Sequence, residues 1–229
     1  MPPPPIEAPA RGLFVTFEGI DGSGKSTALR RAGAWLASEG LAVRTTHEPG
    51  GTPLSDAIRG IFLDPRWGEV DGTVELLLVF ASRRQHLREV IDPALAAGEI
   101  VLCDRFTDST FAYQGGGRGV ARETIDRIDA IATGGRRPDL TLLFDLPAAV
   151  ARRRGASKSR RRANAADRLD VESLGFYERV RAGYLELAAA EPGRFHIIDS
   201  GGEPRQTEEQ MFSVLSGLAA LQPPPEAVA

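Results

Sequence analysis

Gly19-Ile20-Asp21-Gly22-Ser23-Gly24-Lys25-Ser26 fills every position of the pattern G-x-x-x-x-G-K-S, and its flanks decide the fold. Ahead of it runs Leu13-Phe14-Val15-Thr16-Phe17, an apolar stretch that predicts a buried strand. Behind it, residues 27–36 carry apolar side chains at helical spacing. Strand, glycine-rich loop and helix is the context in which such a loop holds phosphate. Glycines let the backbone curl so that successive N–H groups point inward, and the helix N-terminus adds its positive end. Lys25 can then reach the β- and γ-phosphates of a nucleoside triphosphate, while the Ser26 hydroxyl suits Mg²⁺. The expected nucleotide contacts are Gly19, Ile20, Asp21, Gly22, Ser23, Gly24, Lys25, Ser26 and Thr27. A turn that merely caps a helix is the competing reading, and eight filled positions in the right context argue against it.

Outward from the loop, four more apolar runs read as strands: Ala42–Thr46, Ile100–Cys103, Leu140–Phe144 and Phe195–Ile198. Most are continuous rather than alternating, as parallel strands covered on both faces are. Helical patterns lie between them, the longest from Val74 to Ala97. The alternation predicts an α/β chain with a doubly wound, five-stranded parallel sheet and helices on both faces. Ligands of such a sheet bind beyond the carboxyl ends of its strands, which selects Glu18, Glu48, Asp104 and Asp145. Asp104 is suited to Mg²⁺ beside Ser26, against the alternative that it only caps the next turn. Arg105, at the same rim, offers a fixed guanidinium for a phosphate.

At 229 residues the chain suits one domain, read here as residues 12–221 with a short lid at about 151–168. The proline-rich ends, 1–11 and 222–229, are expected to be a disordered arm and tail. Cys103 is the only cysteine and sits in an apolar run, so it reads as a small core residue, with no disulfide or zinc framework. No apolar stretch approaches the ~20 residues of a membrane span, and the start lacks the apolar core of a signal peptide. A cytoplasmic protein with no membrane partner is expected. A net charge of −3 argues against a surface built for nucleic acid.

Phosphoryl transfer needs positive charge near the migrating group beyond one lysine and Mg²⁺, yet Ile20–Ser23 contains no arginine. The segment Arg152-Arg153-Arg154-Gly155-Ala156-Ser157-Lys158-Ser159-Arg160-Arg161-Arg162 can supply it as a mobile lid that reaches the site on closure. A solvated basic loop or a nucleic-acid patch are the alternatives, and the lack of interleaved aromatics argues against the second. Arg153 and Arg162, which flank Gly155 and Asp167-Arg168, are the first candidates, although neighbouring arginines can substitute. An acceptor pocket is expected at the same edge. His47-Glu48-Pro49-Gly50-Gly51-Thr52 forms a rigid strand-end loop, Phe80, Arg83 and Arg84 lie within one helical turn, and Tyr113–Gly119 reads as a glycine-rich loop able to close over a base.

Together these stretches resemble the bacterial thymidylate kinase family. The resemblance rests on residues 17–27, Glu48-Pro49-Gly50-Gly51-Thr52, Asp104-Arg105-Phe106-Thr107-Asp108-Ser109, Ala112-Tyr113-Gln114-Gly115, Arg137-Pro138-Asp139-Leu140 and Asp167-Arg168-Leu169-Asp170. It implies a P-loop NTPase fold, ATP as phosphoryl donor with Mg²⁺, dTMP as acceptor, and a homodimer. It also implies a dTMP site of Glu48, Pro49, Phe80, Arg83, Arg105, Ser109, Tyr113 and Gln114, with Arg105 on the phosphate and Arg83 and Gln114 on the thymine. Lys25, Asp21, Arg105, Arg153 and Arg162 become the expected catalytic set, and Ser26, Asp104 and Glu18 the metal set. The arginine-free loop is similar to the subgroup whose lid supplies the cation. Three features depart from the family pattern: His47 replaces an arginine, Val79 stands where a phenylalanine stacks on thymine with Phe80 one step later, and the arginine run is long. A kinase for another nucleotide, a P-loop switch ATPase and a nucleic-acid-binding ATPase are the competing functions.

Overall fold

The computed structural model describes residues 12–161 and 167–219. The proline-rich ends, and Arg162 within the basic segment, lie outside the described residues. Five strands, β1 (Phe14–Glu18), β2 (Val43–His47), β3 (Ile100–Asp104), β4 (Leu140–Asp145) and β5 (Phe195–Asp199), form one parallel sheet in the order β2-β3-β1-β4-β5. Each strand ends one residue later than its apolar run. Glu18, His47, Asp104, Asp145 and Asp199 all remain in the ladder, paired for example as His47 with Asp104 and Asp145 with Asp199. Backbone pairing is indifferent to side-chain polarity, so the sheet extends through residues that hydrophobic patterning leaves out.

From β1 the chain passes through α1 (Lys25–Ser38) to β2 on one side of the sheet, whereas β4 lies on the other. The strand order therefore reverses at the carboxyl end of β1, where the glycine-rich loop sits, and a crevice opens at such a point. One sheet face packs Val15, Phe17 and Phe144 against α1 and α9 (Pro204–Ala219) through Leu29, Leu36, Met211 and Leu215. Across the sheet, α8 (Leu174–Ala190) buries Phe176, Val180 and Tyr184 against Leu143 and a helical segment that carries Tyr113. A third cluster joins Phe14, Val101, Cys103 and Phe106 to Leu87, Ile91 and Leu95; Cys103 is buried, as its setting implied.

The long apolar stretch folds as α3 (Gly72–His86), a five-residue π segment (Leu87–Ile91) and α4 (Asp92–Ala96). Asp71 caps it by accepting from the Thr73 N–H at 2.8 Å. Pro93 has no N–H to give the preceding turn, and the wider π turn falls just before it. Before α3 lies α2 (Pro53–Leu63), capped by the Thr52 hydroxyl. After β3 come α5 (Thr107–Thr110), a π segment (Phe111–Gly117) and α6 (Arg122–Thr133). Tyr113–Gly119 is thus mostly helical rather than the loop its glycines suggested, because Phe111, Ala112, Tyr113 and Gln114 are buried. Within the described residues the basic segment also differs from a loop: α7 (Ala148–Arg161) carries residues 152–161 as helix, anchored by buried Ala148 and Ala151.

Candidate active site

The loop after β1 closes on the start of α7. Gly22 has φ +88°, and a Cβ there would stand 2.5 Å from the Ala151 carbonyl oxygen, so only glycine admits α7 this close. Lys25, buried at the first turn of α1, donates from Nζ to the Ile20 carbonyl at 3.1 Å. Burial, reinforced by the Arg105 guanidinium, pulls its pKa down to about 8. The Ser23 hydroxyl is buried with no partner among the described residues, an orphan that a phosphate oxygen would satisfy. Ser26 donates to Asp104 at 2.5 Å, which places a hydroxyl and a carboxylate, both hard oxygen donors, side by side at the lip of the loop.

Glu18 does not join that pair. Its carboxylate is wholly buried and accepts from the Phe106 N–H (2.7 Å), the Ser109 hydroxyl (2.6 Å) and the Tyr184 hydroxyl (2.8 Å). Burial, then the neighbouring Asp108, pushes its pKa up to about 7. Glu18 therefore acts as an internal tie between β1 and the residues after β3, apart from the Ser26–Asp104 pair with which the metal set grouped it. Asp145 is also committed elsewhere, to Arg181 at 2.7 Å.

Beyond the loop a cavity is lined by Asp21, Glu48, Pro49, Arg83, Arg105, Ser109, Tyr113 and Gln114, all expected from sequence. Arg105 is its hub. The guanidinium donates to Asp21 (2.7 Å), Ser109 (3.0 Å), Tyr113 (3.0 Å) and Tyr184 (3.1 Å). Its backbone has φ +75°, a left-handed conformation that a residue with a Cβ adopts at a cost. Lost hydration raises the Asp21 pKa, but Arg105, Lys25 and the Tyr113 hydroxyl outweigh this and hold the carboxyl well below its usual range. Arg83 donates through Nε to Glu48 (2.6 Å) and through Nη1 to Thr110 (3.0 Å). Burial would raise the Glu48 carboxyl, yet Arg83 and His86 together lower it.

Phe80 is not in this cavity. Its ring lies in the core with the Arg83 guanidinium 4.8 Å from its centroid, and Val79 lines the cavity instead. The one-residue offset is a rotation of about 100° around the helix, enough to turn a side chain from the ligand to the core.

A second, more open pocket lies on the other side of the loop, lined by Gly22, Ser23, Gly24, Thr27, Arg153, Arg154, Ser200 and Thr207 among others. Arg153 thus stands beside the phosphate loop. Arg154 donates to the Ser200 carbonyl at 2.8 Å and ties α7 to the turn after β5. The two pockets flank one stretch of the loop, with Asp21 lining the first and Gly22 the second.

Residues 17–211 match the family model for thymidylate kinase. The chain belongs to the thymidylate kinase family. Thymidylate kinase of Pseudomonas syringae pv. tomato is 46% identical over 211 residues, covering 92% of this chain and 98% of that protein. The thymidylate kinase of Geobacter sulfurreducens is 49% identical over 205 residues, covering 89% and 96%. A crystal structure of thymidylate kinase from Ehrlichia chaffeensis aligns with a TM-score of 0.70 at 32% identity, covering 90% of this chain and 99% of that one. The resemblance read from the motifs is borne out, and with it the P-loop NTPase fold and an enzyme of the kinase class.

Several residues that line or brace the first cavity escaped the sequence reading. Arg59 lines this cavity and donates to the Pro49 carbonyl at 3.0 Å; Phe62 and Leu63 follow it at i+3 and i+4, a helical face that marks all three. Burial and Arg105 lower the Arg59 pKa, the mark of cations gathered where an anion belongs. His86, three residues beyond Arg83 on the same face, bonds Glu48 (2.9 Å) and Thr46 (2.6 Å). Gly51 fits beneath it at φ +88°, since a Cβ would stand 2.6 Å from His86 Nε2. Tyr184 comes from α8 and left no local sequence signal.

Proposed function

We propose that this chain transfers the γ-phosphoryl group of ATP to the 5′-phosphate of dTMP by in-line displacement, without a covalent intermediate. The observation that carries the reading is a pair of pockets bordered by adjacent loop residues, Asp21 in one and Gly22 in the other. An open one along the phosphate loop suits the triphosphate, and a more enclosed one with Arg59, Arg83, Arg105 and Gln114 suits a nucleoside monophosphate. Arg105 and Arg59 bind the acceptor phosphate, Arg83 and Gln114 the pyrimidine edge, and Val79, Phe62 and Leu63 its apolar faces. Lys25 and the loop N–H groups hold the donor phosphates, and Asp21 keeps Arg105 in place through its 2.7 Å ion pair. Arg153 adds positive charge from α7 beside the loop. Ser26 and Asp104 would hold Mg²⁺, which when bound neutralises phosphate charge. ADP release measured with dTMP, dUMP, dCMP, dAMP and dGMP tests this. dTMP should lead, dUMP should be a poor substrate by ~1–3 kcal/mol for the missing methyl, and purines should fail on size. Equal efficiency with dAMP or dGMP would refute the acceptor assignment.

We infer further that two copies pair through α2 and α3. Ile61, Trp67 and Val74 are about half exposed and line one apolar groove with Val70 and Leu78, an arrangement that a partner of the same kind would cover. Val74→Glu should shift the sedimentation coefficient to that of a monomer, and an unchanged value would rule this face out. No helix among the described residues is long and apolar enough to cross a membrane, and the cytoplasm is where these substrates would be met.

A further inference from the structure

Glu75 lines neither pocket, yet it is wholly buried and gathers three donors from two separate parts of the chain. Its Oε2 accepts from Gln114 Nε2 at 3.0 Å. Its Oε1 accepts from Arg118 Nε at 3.1 Å and from Arg168 Nη1 at 2.6 Å. Arg168 also donates to the Phe62 carbonyl and follows the basic segment in sequence, while Arg118 reaches on to Glu172 at 2.6 Å. The carboxylate is thus met by N–H groups at both oxygens.

This fixes which way the Gln114 amide faces. A side-chain amide offers two donors on nitrogen and two acceptor sites on oxygen, and its orientation is set by its partners. A carboxylate ringed by guanidinium donors can only accept, so it holds the amide nitrogen and leaves Oε1 for the cavity that Gln114 lines. Arg83, committed through Nε to Glu48 and through Nη1 to Thr110, has Nη2 as its remaining donor nitrogen on the same cavity. The cavity that both residues line therefore offers a base one donor and one acceptor. A 4-keto pyrimidine has the complement, an O4 acceptor beside an N3–H donor. A 4-amino pyrimidine has the reverse at both atoms.

We propose that Glu75 is a specificity-determining positioning residue: by holding the Gln114 amide in one orientation, it makes the acceptor site select keto over amino pyrimidine monophosphates. This rests on the dTMP reading above. A site built to bond one pattern rejects its reverse strongly, because buried polar groups are left unpaired. With Glu75→Gln, the partner amide can present oxygen or nitrogen, so the Gln114 amide can turn over. Arg83 still opposes the cytosine amino group, so selectivity should weaken without vanishing.

The experiment measures kcat/KM for dUMP and dCMP, which differ only at positions 3 and 4, with dTMP as the reference, in wild type, Glu75→Gln, Glu75→Asp and Gln114→Met. The dUMP:dCMP ratio should fall five- to tenfold in Glu75→Gln and by at least as much in Gln114→Met. Adding Glu75→Gln to Gln114→Met should lower it no further. A Glu75→Gln enzyme that loses efficiency equally on both substrates would show a role in the fold alone and overturn the proposal. Should that variant not fold, Glu75→Asp keeps the charge between Arg118 and Arg168 while drawing the carboxylate away from Gln114, and an unchanged ratio there overturns the proposal too. So does an unchanged ratio in Gln114→Met. A wild-type enzyme that uses dCMP as well as dTMP would instead defeat the substrate reading itself, before any variant is considered.

Discussion

Replacing Arg105 by glycine and by alanine separates two things that this one residue does. Both variants lose the same four side-chain hydrogen bonds, to Asp21, Ser109, Tyr113 and Tyr184, so that loss cancels when they are compared. What differs is the backbone at φ +75°. A residue with a Cβ adopts the left-handed conformation at a cost of ~1–2 kcal/mol, from which glycine's greater freedom in the unfolded chain takes back ~0.5–1. Arg105→Gly should therefore be more stable than Arg105→Ala by about 1 kcal/mol, or ~2–4 °C in Tm for a domain of this size. Both should bind dTMP poorly. A lost charge-assisted hydrogen bond to phosphate costs ~1.5–3 kcal/mol, or ~10–150-fold in Kd. Thermal melts of each variant, with and without dTMP, read both effects, since the ligand-induced shift follows [L]/Kd. Equal Tm values for the glycine and alanine variants would show that the backbone at 105 carries no strain. A dTMP-induced shift as large as that of wild type would show that Arg105 does not hold the substrate phosphate.

Three other outcomes follow from the site. Lys25→Ala should fold but lose ~3–5 kcal/mol of transition-state stabilisation; in wild type, kcat/KM for ATP should decline as pH rises through about 8, where burial and Arg105 place the free-enzyme lysine, and a flat profile there would argue against it. Glu18 holds its proton to about pH 7 in the native state, whereas the unfolded chain releases it near 4.5, so the native state binds more protons between these values and stability should fall by about 3 kcal/mol as pH rises across them. Chemical denaturation of Glu18→Gln across the same range should lack that decline, and an unaltered slope would assign it to another group. Arg153→Gln should lower kcat tenfold or more with little change in KM for dTMP, because a cation beside the loop acts mainly on the transition state; an unchanged kcat would move the role to another arginine of the segment.

The sequence by itself determined the elements and the chemistry that local order encodes. Apolar runs bounded by turns gave five strands, and eight residues in a row gave the phosphate loop, because each depends on neighbours only a few positions away. The rule that ligands gather at strand ends then brought Asp104, Arg105 and Glu48 to the site before any contact was known. Tertiary structure decided what each strand-end group does there. Glu18 and Asp104 look alike in sequence, an acid closing an apolar run. Tyr184 and Ser109 bury the first, and Ser26 leaves the second at the lip of the loop. Val79 and Phe80 likewise exchange the roles that size alone suggests, because helix rotation settles which one faces the cavity. The links from His86 to Glu48, Glu75 to Gln114 and Tyr184 to Arg105 join residues up to 79 positions apart. Only the packing of helices on the sheet brings such partners within 3 Å or so of one another, and no periodicity in the chain records which will meet.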